Sequence, residues 1–399
     1  MTLGDLCEFE NGDRSSNYPS GRDFSHSGIP FVNAGHVADG KINLGRMDFI
    51  TSESYFRLTR GKVRSGDILY CLRGSVGKFG LVPEGFGQGA IASSLVIVRP
   101  KPTRLSREYL ACYFGSSLCS QMIESWASGA AQPNLGVQDL ARFRIPLPSS
   151  PYEQQTIATA LTDADGLINS LEQLLTKKRQ IKQGAMQELL TGRRRLPGFQ
   201  GNWGEATFAD VAFIDPENLS SGTPAGFSFN YIALEGVNQG RLDSFAELQF
   251  DSAPSRARRV LRDGDVLVST VRPNLKSHLL LDTLLGNWIA STGFSVVRCK
   301  PKIACPGFLF ALLFSEVVEQ QIDALLTGSN YPAINGRDVA NLAFTCPPFD
   351  EQVAIARALS DMDEEISALE SRLTKVRALK QAMAQALLTG RIRLVQPNL

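Results

Sequence analysis

The longest regular pattern in the chain is an apolar stripe over residues 153–196 that returns over residues 351–394. In the second stretch it runs Ile355, Leu359, Met362, Ile366, Leu369, Leu373, Val376, then Met383 and Leu387. In the first it runs Ile157, Leu161, Ala164, Ile168, Leu171, Leu175, then Ala185 and Leu189. Four-three spacing places these side chains on one helical face and argues for coiled-coil packing. About 38 helical residues at about 1.5 Å each extend about 57 Å. Lys178, Lys182 and Lys380 interrupt the stripe, so uniform packing along it is not expected. Each stretch follows a proline-rich strand end, IPLPSSPYEQ or FTCPPFDEQ. Proline before an acid suits a helix start, where the missing N–H costs nothing and Glu153 or Glu351 favours the dipole. Each stretch closes on Leu-Leu-Thr-Gly and arginines, with Gly192 or Gly390 suited to the left-handed residue that stops a helix.

The two stretches align without a gap at an offset of 198, with about 25 of 44 positions identical, so the chain is an internal duplication. The segments before them repeat more faintly. Leu3-Gly4-Asp5-Leu6 corresponds to Phe208-Ala209-Asp210-Val211, and Gly66-Asp67-Ile68-Leu69 to Gly264-Asp265-Val266-Leu267. Ile91-Ala92-Ser93 corresponds to Ile289-Ala290-Ser291. A Gly-x-x-x-Pro-x-Leu element, Gly129 to Leu135, corresponds to Gly328 to Ile334. Short strands dominate (PFVNAG, DILYCLR, SLVIVRP, DVLVSTVR, FSVVRCK), and each segment carries one late apolar helix, YLACYFGSSLCSQMIESW or FLFALLFSEVVEQQIDALL.

The expected fold is therefore α+β. Two domains of small mixed sheets with helices and long loops occupy 1–150 and 197–348. The helices of 151–196 and 349–399 join them as an antiparallel coiled coil with an internal pseudo-two-fold. Ile157, Leu161, Ile168, Leu171 and Leu175 of one helix, and Ile355, Leu359, Ile366, Leu369 and Leu373 of the other, are the expected seam positions.

Composition adds bounds. The chain has 399 residues, 43% hydrophobic and 20% charged, which suits globular domains with real cores. No apolar run reaches the length of a bilayer span, and MTLGDLCEFENG lacks the pattern of a signal peptide, so no membrane association is expected. The seven cysteines are scattered without a CxxC pair, which speaks against a zinc site or disulfide framework and for reduced thiols in the cytoplasm. A net charge of +1 argues against a protein that wraps DNA alone. It is compatible with a reader that borrows electrostatic grip from partners.

Catalytic patterns are missing. Gly74-Ser-Val-Gly77-Lys78 resembles part of a phosphate loop, but Leu72 and Phe79 stand where glycine and Ser/Thr are needed. Asn330-Tyr331-Pro332 has the wrong order for an amino-methyltransferase tetrapeptide. Asp263-Gly264-Asp265 reads as a turn entering a strand, since its counterpart is Ser65-Gly66-Asp67. Asp361, Asp363, Glu364 and Glu365 read as a solvated helix face, and His26, His36 and His278 show no ligand spacing.

Two divergent units, each followed by a helix beginning Pro-x-x-Glu-Gln and ending Leu-Leu-Thr-Gly with arginines, resemble the specificity subunits of type I restriction-modification systems. The Gly-x-x-x-Pro-x-Leu element before each helix belongs to the same pattern, with Ile334 replacing the leucine in the second copy. Many relatives carry extra residues ahead of the Leu-Gly-Asp start, at which this chain nearly begins. The resemblance implies a noncatalytic subunit in which each unit is a target recognition domain for one half of a split, asymmetric site in double-stranded DNA. It implies that the helices set the spacing, that the seam positions named above also serve subunit docking, and that two modification subunits dock on the helices and domains and methylate adenine. Two restriction subunits would supply translocation and cleavage. No cofactor is expected in this chain; S-adenosylmethionine, ATP and Mg would sit on the partners. A protein-only coiled-coil scaffold is the alternative.

Base readout favours Arg, Lys, Asn and Gln on loops. The DNA-binding candidates are Arg14, Ser15, Asn17, Arg22, Arg73, Lys78 and Gln132 in the first unit, and Arg272, Asn274, Lys276, Asn330 and Tyr331 in the second. Arg193, Arg194, Arg195, Arg391 and Arg393 at the helix ends suit dipole compensation, with a phosphate contact as the alternative.

Overall fold

A computed structural model describes residues 1–127, 134–282, 285–326 and 332–394. The chain divides into two compact units, Met1–Glu172 with Ser371–Leu399, and Gln173–Glu370. The boundaries differ from the expected ones because each unit takes half of each long helix. Those helices span Pro151–Leu189 and Phe349–Leu388.

In the first unit, a four-stranded antiparallel sheet runs in the order Cys7–Asn11, Leu95–Pro100, Ile68–Cys71, Phe79–Leu81. Alternation along a strand sends successive side chains to opposite faces. Ile68, Tyr70, Val96 and Val98 enter a core with the helices, and Leu69, Cys71, Leu95 and Ile97 enter a second core on the other face. Both faces are covered, so the strands read as near-continuous apolar runs. A second sheet is ordered Phe24–Ser25, Asp48–Ile50, Ile29–Val32, Ala90–Ile91, and its last pair is parallel.

The second unit repeats this plan. Its first sheet is ordered Ala212–Ile214, Phe294–Cys299, Val266–Ser269, Leu279–Leu280. Its second is ordered Ala246–Gln249, Ser228–Ile232, Trp288–Ser291, Ala257–Leu261. The copies differ at the edges of this second sheet. Unit one adds a strand beside Asp48–Ile50, and unit two adds Ala257–Leu261 on the opposite side.

Each late apolar stretch is two helices rather than one. Arg107–Phe114 and Ser117–Ala127 are separated at Gly115-Ser116, and Pro306–Leu312 and Glu316–Leu325 at Leu313 to Ser315. Ser315 breaks the run because its hydroxyl accepts the Val318 N–H as an N-cap.

Within each unit the halves of the long helices run antiparallel. In unit one Asp165 pairs with Lys380 and Glu172 with Arg377, so partner numbers fall as helix numbers rise. In unit two Lys178 pairs with Glu365 and Lys182 with Asp363. The lysines that interrupt the apolar stripe are thus answered by carboxylates. Asp361, Asp363, Glu364 and Glu365 do lie on a solvated helix face, and Asp363 and Glu365 serve there as ion-pair partners.

The stripe itself has two roles. Ile157 and Leu161 are buried in the core of unit one with Tyr109, Leu110, Leu387 and Leu388. Ile355 and Leu359 are buried in the core of unit two with Phe308, Leu309, Leu189 and Leu190. Those four positions pack on globular cores, because a helix start must cover the sheet and helices it adjoins. Leu171, Leu175 and Leu373 are buried further along, while Ile168, Ile366 and Leu369 are half-buried.

Candidate nucleic-acid interface

The repeated helix motifs form one joint in each unit. Glu153, buried at the helix start, receives two hydrogen bonds of 2.6 Å from the Arg393 guanidinium. The guanidinium beside it holds the Glu153 carboxyl below its usual range. Gln154 accepts the Ser106 N–H and donates to the carbonyls of Arg104 and Pro148. In unit two Glu351 takes two bonds from Arg195 and one from the Trp203 indole. Gln352 accepts the Cys305 N–H and donates to the carbonyls of Ile303 and Pro347. The arginine after Leu-Leu-Thr-Gly in one helix therefore closes on the Glu-Gln that starts the other. This corrects the helix-end arginines: Arg195 and Arg393 are committed to carboxylates. Arg194 pairs loosely with Glu188 at 3.5 Å, and Arg193 and Arg391 are exposed.

A second joint was not legible in the sequence. Arg99 makes two bonds to Asp67, one to Glu10 and one to the Lys62 carbonyl. Arg298 does the same with Asp265, Glu217 and the Val260 carbonyl. Each aspartate also accepts a turn N–H, from Arg64 or Arg262. The Gly-Asp pair is a turn, as its sequence suggests, and its carboxylate is also an anchor. The matching arginine at the end of SLVIVRP and FSVVRCK was the available signal.

Beyond these joints, each unit brings a hairpin loop against the end of the Gly-x-x-x-Pro element. In unit one the loop joins Ile68–Cys71 to Phe79–Leu81, a strand–turn–strand that removes the phosphate-loop reading, which needs a following helix. Leu72 donates to the Ser94 carbonyl and accepts the Leu135 N–H. Arg73 and Lys78 are exposed on this loop, whose left-handed turns use Gly74 and Gly77. Arg14 joins the same end by donating to the Ser93 carbonyl at 3.2 Å.

Ser15 and Asn17 stand in a turn. Asp13 accepts the Ser15 N–H and hydroxyl together with the Thr59 N–H and hydroxyl, which holds its carboxyl well below the usual range. The Asn17 N–H goes to Ser15 Oγ. Arg22 is exposed at the edge of the second sheet, and Gln132 lies outside the described residues.

In unit two Thr270 donates twice to the Gly293 carbonyl and accepts the Ile334 N–H, and Arg272 N–H reaches the Pro332 carbonyl. Arg272 and Lys276 take left-handed backbone at φ 49° and 56°, an uncommon conformation for residues with a Cβ. Buried Pro273 pins the turn between them. Arg272 and Asn274 are exposed, and Lys276 is tied to Glu319. Asn330 and Tyr331 lie outside the described residues.

His278 follows this loop where unit one has Phe79, since Gly40 donates to the Phe79 carbonyl and Gly240 to that of His278. Its Nδ1 accepts the Ser269 N–H and its ring packs edge-on against Phe314. Burial, with a smaller contribution from Lys276, pushes its pKa down to about 4. The folded state thus binds fewer protons than the unfolded one between pH 6.5 and 4. Stability of unit two is intact above pH 6.5 and falls as pH drops through that window, by about 3 kcal/mol at its lower end. Hydrogen exchange followed peptide by peptide should show this loss in unit two, and a His278→Phe variant should abolish it. An unchanged acid slope in the variant would refute this role.

These ends offer hydrogen-bond donors on loops held by backbone bonds. Buried Cys7 and half-buried Cys299 have thiols pushed up to about 12 by desolvation, which makes them poor nucleophiles. Among the described residues no group of three or more His, Cys, Asp or Glu is placed to hold a metal ion. No described helix is long and apolar enough to cross a membrane.

Comparison with known proteins adds identity to the geometry. The family described as "Type I restriction modification DNA specificity domain" matches residues 1–183 and 264–377. The type I restriction enzyme MjaVIII specificity subunit of Methanocaldococcus jannaschii is 24% identical over 340 residues, 78% of this chain and 76% of the relative. The crystal structure of a type I restriction-modification S subunit from M. genitalium superposes with a TM-score of 0.61 at 15% identity, covering 97% of this chain and 95% of that one. The HsdS subunit of Thermoanaerobacter tengcongensis gives 0.52 at 18% identity, covering 98% and 96%.

Proposed function

Because the chain belongs to the type I restriction modification DNA specificity family, we propose that it is a noncatalytic specificity subunit whose two units each read one half of a bipartite, asymmetric site in double-stranded DNA. The observation that supports this reading is the contrast inside the duplicated hairpin ends. Their backbone bonds match, Leu135 to Leu72 and Ile334 to Thr270, while the side chains differ: Arg73 and Lys78 in one, Arg272 and Asn274 in the other. One scaffold with two faces suits two different half-sites.

The long helices set the spacing between half-sites and carry docking surfaces for two modification subunits, with two restriction subunits joining the assembly. S-adenosylmethionine, ATP and Mg belong to those partners, and the complex works in the cytoplasm, where the DNA is. The test is co-expression with a modification subunit from a neighbouring gene, followed by genome-wide methylation mapping. One bipartite methylated site is expected. A stable complex that leaves DNA unmethylated and unbound would support a protein-only scaffold and sink this reading.

A further inference from the structure

Unit two contains an open groove of about 590 Å³ beside the strands Ser228–Ile232 and Ala246–Gln249. Ser228 lies opposite Gln249 and Asn230 opposite Glu247, and alternation puts all four on one face of the sheet. Ser252 and Asn287 complete the polar lining. Asn287 is held by the Ser228 carbonyl at 3.2 Å. The side chains of Asn230, Glu247 and Gln249 have no hydrogen-bond or ion-pair partner among the described residues. Three polar side chains thus stand on one face of a strand pair, with no protein partner among the described residues.

The corresponding strands of unit one carry different side chains. Its corresponding strands pair Ile29 with Ile50, Pro30 with Phe49 and Phe31 with Asp48. Tyr18 and Phe24 pack edge-on against Phe31, and Asn33 takes the Asp48 carboxylate at 2.7 Å.

We infer that the Asn230–Glu247–Gln249 groove determines part of the sequence read by unit two, by contacting base edges that carry an exocyclic amine. The chemistry selects this occupant. The lining holds one carboxylate and no cation, so it repels phosphate and is no backbone contact. A side-chain amide offers a donor and an acceptor together, which matches N7 and N6 of adenine in the major groove, and a carboxylate accepts from N4 of cytosine. The inference rests on the proposal that unit two reads DNA.

The test uses the full chain with its modification subunit and compares wild type with Asn230→Ala, Gln249→Ala and Glu247→Gln by methylation mapping. Glu247 and Gln249 are exposed and Asn230 half-buried on their strands, and hydrogen exchange of unit two verifies that each variant folds. Discrimination should relax roughly 10- to 100-fold at one or two positions of a single half-site. The other half-site and the spacing should stay unchanged. A wild-type complex with a bipartite target and variants that keep it unaltered, or that weaken on all sequences alike, would overturn the groove's role alone. A wild-type complex without a bipartite target would overturn the DNA-reading proposal and this one together.

Discussion

A chain ending at Glu370 should lose the fold of unit one, although the deleted residues lie more than 200 positions from most of that unit. Leu387 and Leu388 are 5% and 1% exposed, in a core with Leu3, Tyr109, Ile157 and Leu161. Partly buried Met383 and Leu394 pack on the same core. Removing two buried leucines alone costs about 4–10 kcal/mol, comparable to the whole stability of a domain of this size. The deletion also takes Arg393 and leaves the buried Glu153 carboxylate without its partner. Unit two keeps every residue from Gln173 to Glu370. Hydrogen exchange should therefore show peptides of residues 1–150 unprotected and those of 204–346 still protected. Protection of both units in the truncated chain would contradict this closure.

The second large effect is expected from Asp265→Ala. The Asp265 carboxylate is fully buried and holds Arg298, whose side chain is 20% exposed, through two hydrogen bonds. It also accepts the Arg262 N–H. Removing one partner of a buried pair costs roughly 3–5 kcal/mol, because the remaining charge stays desolvated. Arg298 retains Glu217 and the Val260 carbonyl, which places the loss at about 3 kcal/mol. Chemical denaturation should show unit two unfolding earlier, with Asp265→Asn recovering only part of the loss. A change under about 0.5 kcal/mol, the range of ordinary surface substitutions, would mean that the pair is not a structural anchor.

The two long helices were legible because their signals are local: proline and glutamate at the start, a three-to-four apolar stripe, and Thr-Gly at the end. The duplication was legible because the helices repeat nearly verbatim. The partners were not. Glu153 and Arg393 are 240 positions apart, and nothing in a single sequence says that the arginine after Thr-Gly meets the glutamate of the other helix. Local helix physics instead suggested compensation of a dipole at the helix's own end. Each late apolar stretch was read as one helix, because Ser315 is weighed as a residue until its hydroxyl is seen capping Val318.

Among the candidate DNA contacts, residue type found Arg73, Lys78, Arg272 and Asn274 on exposed hairpin loops. Residue type also selected Ser15 and Lys276, which Asp13 and Glu319 hold within their own units. It passed over Asn230 and Glu247, which lie opposite each other only when their two strands pair in register.

The most direct measurement of the central claim is a segment exchange read out by methylation mapping. Residues 212–340 would be replaced by the corresponding segment of a related specificity subunit, leaving the helices of 151–189 and 349–388 intact. Co-expressed with the modification subunit, the chimera should keep one half-site and the spacing of the parent and acquire a new second half-site. A target that keeps both half-sites, or changes both, would contradict the assignment of one half-site to each unit.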